Sequence, residues 1–287
     1  MTEGPNELLR MRDCPKLREA TLLLAFNGWM DGGDVSTGTV RGLVELLGAR
    51  PVAEIDPDSF CLYNFPGSME VAALFRPALR IEDGLVASLE MPANVFHCHE
   101  PAGLFLFVGR EPHLRWRTFA DCVLEFARHA GVLRVLFVGS FGGSVPHTRE
   151  PRLHVLCSEA RLLAEMEKYG VRRTRYEGPG SFASYLLTRA PEAGLEMTSL
   201  AAEIPGYLQG RNPVSIEAVT RRLCQILKLP LDLAPLRAES TEWEVHVSKV
   251  VKKDRELART VRRLEEAYDE DLLRQAEGGE EDEGEGE

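Results

Sequence analysis

Leu133-Arg134-Val135-Leu136-Phe137-Val138-Gly139 runs directly into Ser140-Phe141-Gly142-Gly143-Ser144-Val145-Pro146-His147-Thr148-Arg149. The first part reads as a buried strand. The second reads as a small-residue loop that carries hydroxyls, an imidazole and a guanidinium. Open α/β sheets place their ligands just beyond the carboxyl ends of such strands, so this junction poses the choice between chemistry and scaffold.

Working outward, Thr21–Phe26 is another continuous apolar run, as expected of a strand covered on both faces. A glycine-rich turn follows, and then Val40, Leu43, Val44 and Leu47 give Val35–Leu47 one helical face that stops at Gly48. Leu104–Val108 repeats the apolar run. After it, Phe119, Val123, Phe126 and Ala127 define a helix over Trp116–His129, closed by Gly131. This alternation predicts an α/β fold with three layers, α/β/α, around a mostly parallel sheet. Further on, Ser158–Tyr169 is expected to be helical, and Tyr176-Glu177-Gly178-Pro179-Gly180-Ser181 is expected to turn into a short helix over Phe182–Ala190. Leu195–Ile204 reads as a strand, and Ser215–Leu227 as a helix capped by Ser215.

From Thr241 to Leu273 no glycine or proline occurs, and Val250, Leu257 and Leu264 recur at heptad spacing. One long amphipathic helix is expected there, its second heptad row interrupted by Asp254. Beyond Ala276 the Glu/Gly tail lacks apolar residues and is expected to be disordered. The chain therefore divides into an extension (1–20), an α/β core (21–236), a C-terminal helix (237–274) and an acidic tail (275–287).

The 287 residues, 44% hydrophobic, suffice for a substantial core. Neither a leader pattern nor an apolar stretch near the ~18 residues that span a bilayer is visible, so a soluble, cytoplasmic chain is expected. Six scattered cysteines without a C-x-x-C pair read as reduced, mostly buried thiols. Of the net charge of −11, seven acids sit in Glu277–Glu287, which leaves −4 for the remainder.

Asn27-Gly28-Trp29-Met30-Asp31-Gly32-Gly33-Asp34 lies between strand and helix, where backbone amides hold anions. It is not a phosphate loop, because Asp34-Val35 stands where lysine and a hydroxyl residue belong; a tight glycine turn is the better reading. In His97-Cys98-His99-Glu100, extended backbone sends the histidines to one side and Cys98 and Glu100 to the other, so no metal site is expected. Ser140 lacks the G-x-S-x-G elbow of a serine nucleophile. His147 could serve as a base and Arg149 as an anion clamp, or both could tie the loop to its neighbours. Lys249–Arg263 holds seven bases and two acids; contact with the acidic tail or with another subunit is favoured over nucleic acid.

Taken in order, Phe26–Asp34, Gly109-Arg110-Glu111-Pro112-His113-Leu114-Arg115-Trp116-Arg117-Thr118-Phe119, Val145-Pro146-His147-Thr148-Arg149, Tyr176–Ser181 and Ile204-Pro205-Gly206-Tyr207 resemble the proteasome-assembly-chaperone family, type 2, over about Thr21–Leu233. The C-terminal helix resembles its bacterial branch. The resemblance implies a phosphorylase-like three-layer fold, self-association into a homo-oligomer such as a trimer, no cofactor, and a non-enzymatic chaperone-like scaffold with a protein client or proteasome-related partner. Other members engage proteasome particles through hydrophobic-tyrosine tails, whereas this chain ends in Gly284-Glu285-Gly286-Glu287, which speaks against that route. The alternative is a nucleoside- or phosphate-binding enzyme of phosphorylase or hydrolase type. Its cleft would be formed by Asn27, Asp31, Gly32, Gly33, Ser140, His147, Arg149, Gly178 and Ser181, on loops that follow successive strand ends.

Overall fold

The apolar runs form the middle of a nine-stranded sheet in the computed structural model, which describes residues 5–282, with side chains for 7–274. The first half of the chain comprises α1 (Pro5–Leu8), β1 (Leu9–Met11), β2 (Ala20–Asn27), α2 (Val35–Leu47), β3 (Arg50–Ile55), α3 (Met69–Ala73), β4 (Ala78–Glu82), β5 (Leu85–Glu90), β6 (Val95–His99) and β7 (Leu104–Arg110). Then come α4 (Trp116–Ala130), β8 (Val132–Gly143), β9 (Arg152–Cys157), α5 (Ala160–Glu167), β10 (Arg172–Arg173), α6 (Phe182–Arg189), β11 (Glu196–Pro205), α7 (Pro213–Leu227), α8 (Ala234–Val251) and α9 (Arg255–Asp282).

The sheet order is β1-β3-β6-β7-β2-β8-β11-β9-β10. Its four central strands, β7, β2, β8 and β11, are parallel, as the alternation of strands and helices predicts. Antiparallel strands β6, β3 and β1 extend one edge, and β9 extends the other.

Alternate residues of each central strand enter different cores, as a period of two requires. Leu22, Leu24, Phe26, Phe105, Phe107 and Phe137 pack with Phe119 and Phe126 of α4 and Phe182 of α6. Leu23, Ala25, Leu106, Leu136, Val138 and Leu200 pack with Val40 and Leu43 of α2 and Ile216, Val219 and Leu223 of α7. Both sheet faces are thus covered, and three layers result. Gly131 ends α4 at φ +76°, and a Cβ there would lie 2.0 Å from the Leu17 carbonyl oxygen, so only glycine fits.

Several boundaries differ from the sequence reading. The strand expected to break after Gly139 continues to Gly143, because Ser140, Phe141, Gly142 and Gly143 pair with Ala202, Glu203, Ile204 and Pro205 of β11. The N-terminal extension supplies an edge strand: β1 pairs with β3, and Leu8 and Leu9 are buried. Helix α7 is capped by Asn212, whose Oδ1 accepts the Ser215 amide at 3.0 Å, and not by Ser215. The single C-terminal helix is instead two, broken at Lys252–Asp254. Asp254 Oδ1 accepts the amides of Glu256 and Leu257 at 2.9 and 3.1 Å, so the aspartate that interrupts the heptads caps α9. Val247 and Val251 of α8 then pack with Val261 of α9 against Tyr207 and Leu208. The backbone of α9 is helical to Asp282, into the segment expected to be disordered; the last tail residues, 283–287, lie outside the described residues. No helix among the described residues is long and apolar enough to cross a membrane.

Candidate functional site

From β2 the chain crosses toward β7 on one side and later returns to β8 on the other, so the carboxyl ends of β2 and β8 flank a switch point of the sheet. There the Asn27–Asp34 turn and Ser140 are knit together. Ser140 is fully buried; its amide donates to the Met30 carbonyl at 2.8 Å and its Oγ donates to the Gly32 carbonyl at 2.7 Å. Ser36 at the start of α2 donates its Oγ proton to Val138 O at 2.5 Å. Asp31, 8% exposed, accepts the Thr37 amide and hydroxyl at 3.0 and 2.7 Å and an Asn27 Nδ2 proton at 3.3 Å. Burial nevertheless raises its carboxyl pKa above the usual value, outweighing those donors. Gly32 and Gly33 permit this packing. A Cβ on Gly33, at φ +65°, would stand 2.9 Å from the Asn212 Cβ, while the Gly33 carbonyl accepts the Asn212 amide at 2.8 Å.

Glu111, absent from the sequence-derived site, joins two of the loops. Its Oε2 accepts the Trp29 amide and its Oε1 the Phe182 amide, both at 2.8 Å, and its own amide donates to Asn27 O at 2.9 Å. Carboxylate bonds to backbone amides are charge-assisted, roughly twice as strong as neutral ones. A Cβ on Gly28 would come within 2.7 Å of the Glu111 side chain, so the glycine makes room for this clamp. Ser181 caps α6 by accepting the Ser184 amide at 3.1 Å, one residue before the clamped Phe182. Gly178 does not join the group: it sits in an exposed turn where Tyr176 Oη donates to the Pro179 carbonyl at 3.1 Å.

His147 and Arg149 belong to a second cluster, built with the C-terminal helices. His147 is 2% exposed, and its amide donates to Tyr207 Oη at 2.8 Å. The ring is held at both nitrogens: Nδ1 is hydrogen-bonded with Tyr207 Oη at 2.7 Å and Nε2 with Ser248 Oγ of α8 at 3.1 Å. Burial lowers the pKa of this imidazole, in keeping with a neutral ring. Arg149 forks onto Asp269 of α9, Nε and Nη2 meeting its two oxygens at 2.8 and 2.7 Å. Thr148 donates to Glu265, and Tyr268 Oη donates to Glu150 O at 3.0 Å. Asp271 receives Arg152 and Arg172 at 3.0 and 2.8 Å. Helix α9 is thus strapped across the loop 144–150 and onto β9 and β10.

Glu203 on β11 is a further buried carboxylate that sequence reasoning missed. It accepts the Ser144 amide at 2.7 Å and lies 3.5 Å from His154 Nε2 and 3.7 Å from Arg152. Burial opposes its charge, but His154, the Ser144 amide and Arg152 outweigh that and hold its pKa below the usual value. The histidines of the 97–100 segment sit on β6, whose burial alternates so that Cys98 points inward. Among the described residues no group of three or more His, Cys, Asp or Glu side chains is placed to hold a metal ion. Thus, among the described residues, Ser140 is bonded to Gly32, His147 to Tyr207 and Ser248, and Arg149 to Asp269, and these three side chains do not pair with one another.

The PAC2 family model matches residues 25–251. No curated protein matches the chain. Among solved structures, a proteasome-assembly chaperone homologue from Mycobacterium tuberculosis is 30% identical, with a TM-score of 0.71, over 84% of this chain and 99% of that one. A PAC2 family protein from Streptomyces avermitilis is 26% identical, TM-score 0.70, over 84% of this chain and 99% of that one. PbaA of Pyrococcus furiosus, an archaeal homolog of proteasome-assembly chaperone, shares the fold at 17% identity, TM-score 0.60, over 91% of this chain and 99% of that one. With most of its length matched by one family model and its fold shared by these relatives, the chain belongs to the PAC2 family.

Proposed function

We propose that this chain is a non-enzymatic, chaperone-like assembly or interaction scaffold, acting in the cytoplasm as a homo-oligomer, a trimer by its family resemblance, on a proteasome-related protein client. The observation that carries this reading is the state of the polar groups at the carboxyl end of the sheet. Ser140, His147, Arg149 and Glu111 each spend their hydrogen bonds within the chain, whereas a catalytic base or clamp has to reach its substrate. Relatives described as proteasome-assembly chaperone homologues support the class of client.

The test is to mix the full-length protein with purified proteasome α and β subunits and to follow assembly by native mass spectrometry. A complex containing this chain and a subset of the subunits is expected; unchanged assembly with no such complex overturns the reading. The convergence of the Asn27 and Ser181 loops near Ser140 of β8 favours the enzyme as the second reading. A ligand present at a hundred times its dissociation constant stabilises a protein by about 2.7 kcal/mol. The scaffold reading therefore expects no thermal shift with nucleosides, nucleotides or inorganic phosphate, and a shift of that size favours the enzyme.

A further inference from the structure

Strands β2 and β7 end in Asn27 and Arg110, and both residues line a cleft of about 590 Å³. Helix α2 contributes Arg41 and Glu45 to it. The segment between β3 and β6, which forms the separate β4–β5 hairpin, contributes Arg76 just ahead of β4 and Glu90 at the end of β5. Val44, Pro77 and Val108 supply apolar lining. Open α/β sheets take up ligands in just such a position, beyond the carboxyl ends of neighbouring parallel strands.

The three guanidiniums of this cleft lack what arginines elsewhere in the chain possess. Arg10 pairs with Asp56 at 2.8 Å, Arg50 with Glu100 at 2.9 Å and Arg149 with Asp269 at 2.7 Å. Among the described residues, Arg41, Arg76 and Arg110 pair with no carboxylate. Arg76 donates to Asn64 Oδ1 at 3.1 Å and Arg110 to the Leu74 carbonyl at 2.9 Å. Arg110 is half-buried, so its charge has given up part of its hydration, and one bond to a neutral carbonyl returns little of it. Glu45 and Glu90 share the lining without pairing with these arginines, and His97, whose pKa burial lowers, adds no charge at neutral pH. Three guanidiniums against two carboxylates leave one net positive charge.

We infer that this cleft binds an acidic segment of a polypeptide partner, whose carboxylates are taken up by Arg110, Arg76 and Arg41. This rests on the scaffold reading proposed above and adds the chemistry of the client and the place where it docks. The guanidinium fork matches a carboxylate in two parallel bonds, and arginine clusters are a recurrent device for recognising acidic motifs. Two features select a peptide over a compact anion such as phosphate. The cations stand on three separate elements, α2, the link before β4 and the end of β7, as suits several carboxylates spread along a chain. Glu45 and Glu90 would repel a dense dianion, whereas a peptide sets neutral residues against them and against the apolar lining. The chain's own acidic tail is a poorer source. It leaves from α9, whose Asp271 lies against Arg152 of β9 and Arg172 of β10, across β2, β8 and β11 from β7.

The test measures binding of a fluorescein-labelled tetraglutamate peptide to the full-length protein by anisotropy, at an ionic strength of about 0.15 M. Saturable binding is expected, and none of a tetraglutamine peptide. Arg110→Gln is expected to weaken it at least about tenfold, the loss of one charge-assisted pair. Because Arg110 also bonds Leu74, R41Q/R76Q, which leaves that bond in place, is measured beside it with a loss of the same size expected. K249Q/K253Q/R259Q, which removes three charges from α8, α9 and the link between them, should leave the affinity unchanged. No binding at millimolar peptide, equal binding by the cleft variants, or a loss confined to the helix variant overturns the inference. So does displacement of the peptide by micromolar inorganic phosphate, which makes this a small-anion site, or tighter binding after removal of Glu277–Glu287, which makes the tail the occupant. A chain that ignores the peptide yet joins proteasome subunits sinks this inference and leaves the scaffold reading standing; one that binds the peptide in the cleft but no subunit does the reverse.

Discussion

The loop 144–150 and the insertion 56–94 leave the same end of the sheet, since β3 runs parallel to β7, β2 and β8, yet their side chains meet opposite fates. The loop has the residues of an active site, and α8 and α9 take them up: Ser248 bonds His147, Glu265 bonds Thr148, and Asp269 bonds Arg149. In the insertion, the aliphatic side chains of Leu79, Ile81, Val86 and Leu89 are exposed, and nothing among the described residues covers them. The cleft beside it keeps Arg41, Arg76 and Arg110 without a carboxylate partner among the described residues. The side chains of the loop hold the fold together, while those of the cleft remain available for a ligand. Substitutions in the first region should cost stability and spare peptide binding; those in the cleft should do the reverse.

The largest effect on stability is expected from Glu111→Ala. It leaves the Trp29 and Phe182 amides without their carboxylate, and hydrogen bonds to charged groups contribute about 1.5–3 kcal/mol each. A loss of about 3 kcal/mol in urea unfolding, with subunit mass unchanged, is the expected outcome. Tyr207→Phe comes next. It removes the acceptor of the His147 amide and the partner of Nδ1, for a cost of about 1–2 kcal/mol by the same measurement.

A smaller effect concerns pH. Burial lowers the pKa of His147 from its ordinary 6.5, so the unfolded chain binds more protons than the folded one between the two values. Its contribution is full above pH 6.5 and is lost as pH falls toward the folded value. His97 and His113 are shifted the same way, again chiefly by burial. Stability should therefore decline on acidification, and His147→Gln should flatten part of that slope in unfolding curves between pH 7 and 5. The smallest effect belongs to the cleft: R41Q/R76Q should change unfolding free energy by no more than about 0.5 kcal/mol per site, as exposed positions do.

Much of the core was legible in the sequence. Apolar runs mark the central strands, 3.6-residue spacing marks α2 and α4, and Gly48 and Gly131 mark their ends. The continuation of β8 through Gly142 and Gly143 was not, because glycines give no facial pattern. Their use lies in close approach: a Cβ on Gly143 would stand 2.4 Å from Glu203. Nor could sequence distinguish a base and clamp from a strap at His147 and Arg149, whose partners Ser248 and Asp269 lie 101 and 120 positions away. Glu111 escaped notice for the same reason, since its two acceptor bonds span 82 and 71 positions. The Asp83-Gly84 turn between alternating apolar residues is a hairpin signal in itself. That its apolar side chains lack cover is not, because alternation looks the same with or without a covering layer.

Amide hydrogen exchange across residues 74–93, measured on the full-length protein with and without the tetraglutamate peptide, tests the central claim most directly. A two-stranded hairpin in free solvent opens readily, whereas one held by a ligand in the cleft beside it is protected. Exchange that slows over 74–93 when the peptide is added, and does not slow in Arg110→Gln, with the loop 144–150 unchanged throughout, is the predicted result. Exchange over 74–93 that ignores the peptide, or slowing confined to 144–150, would contradict it.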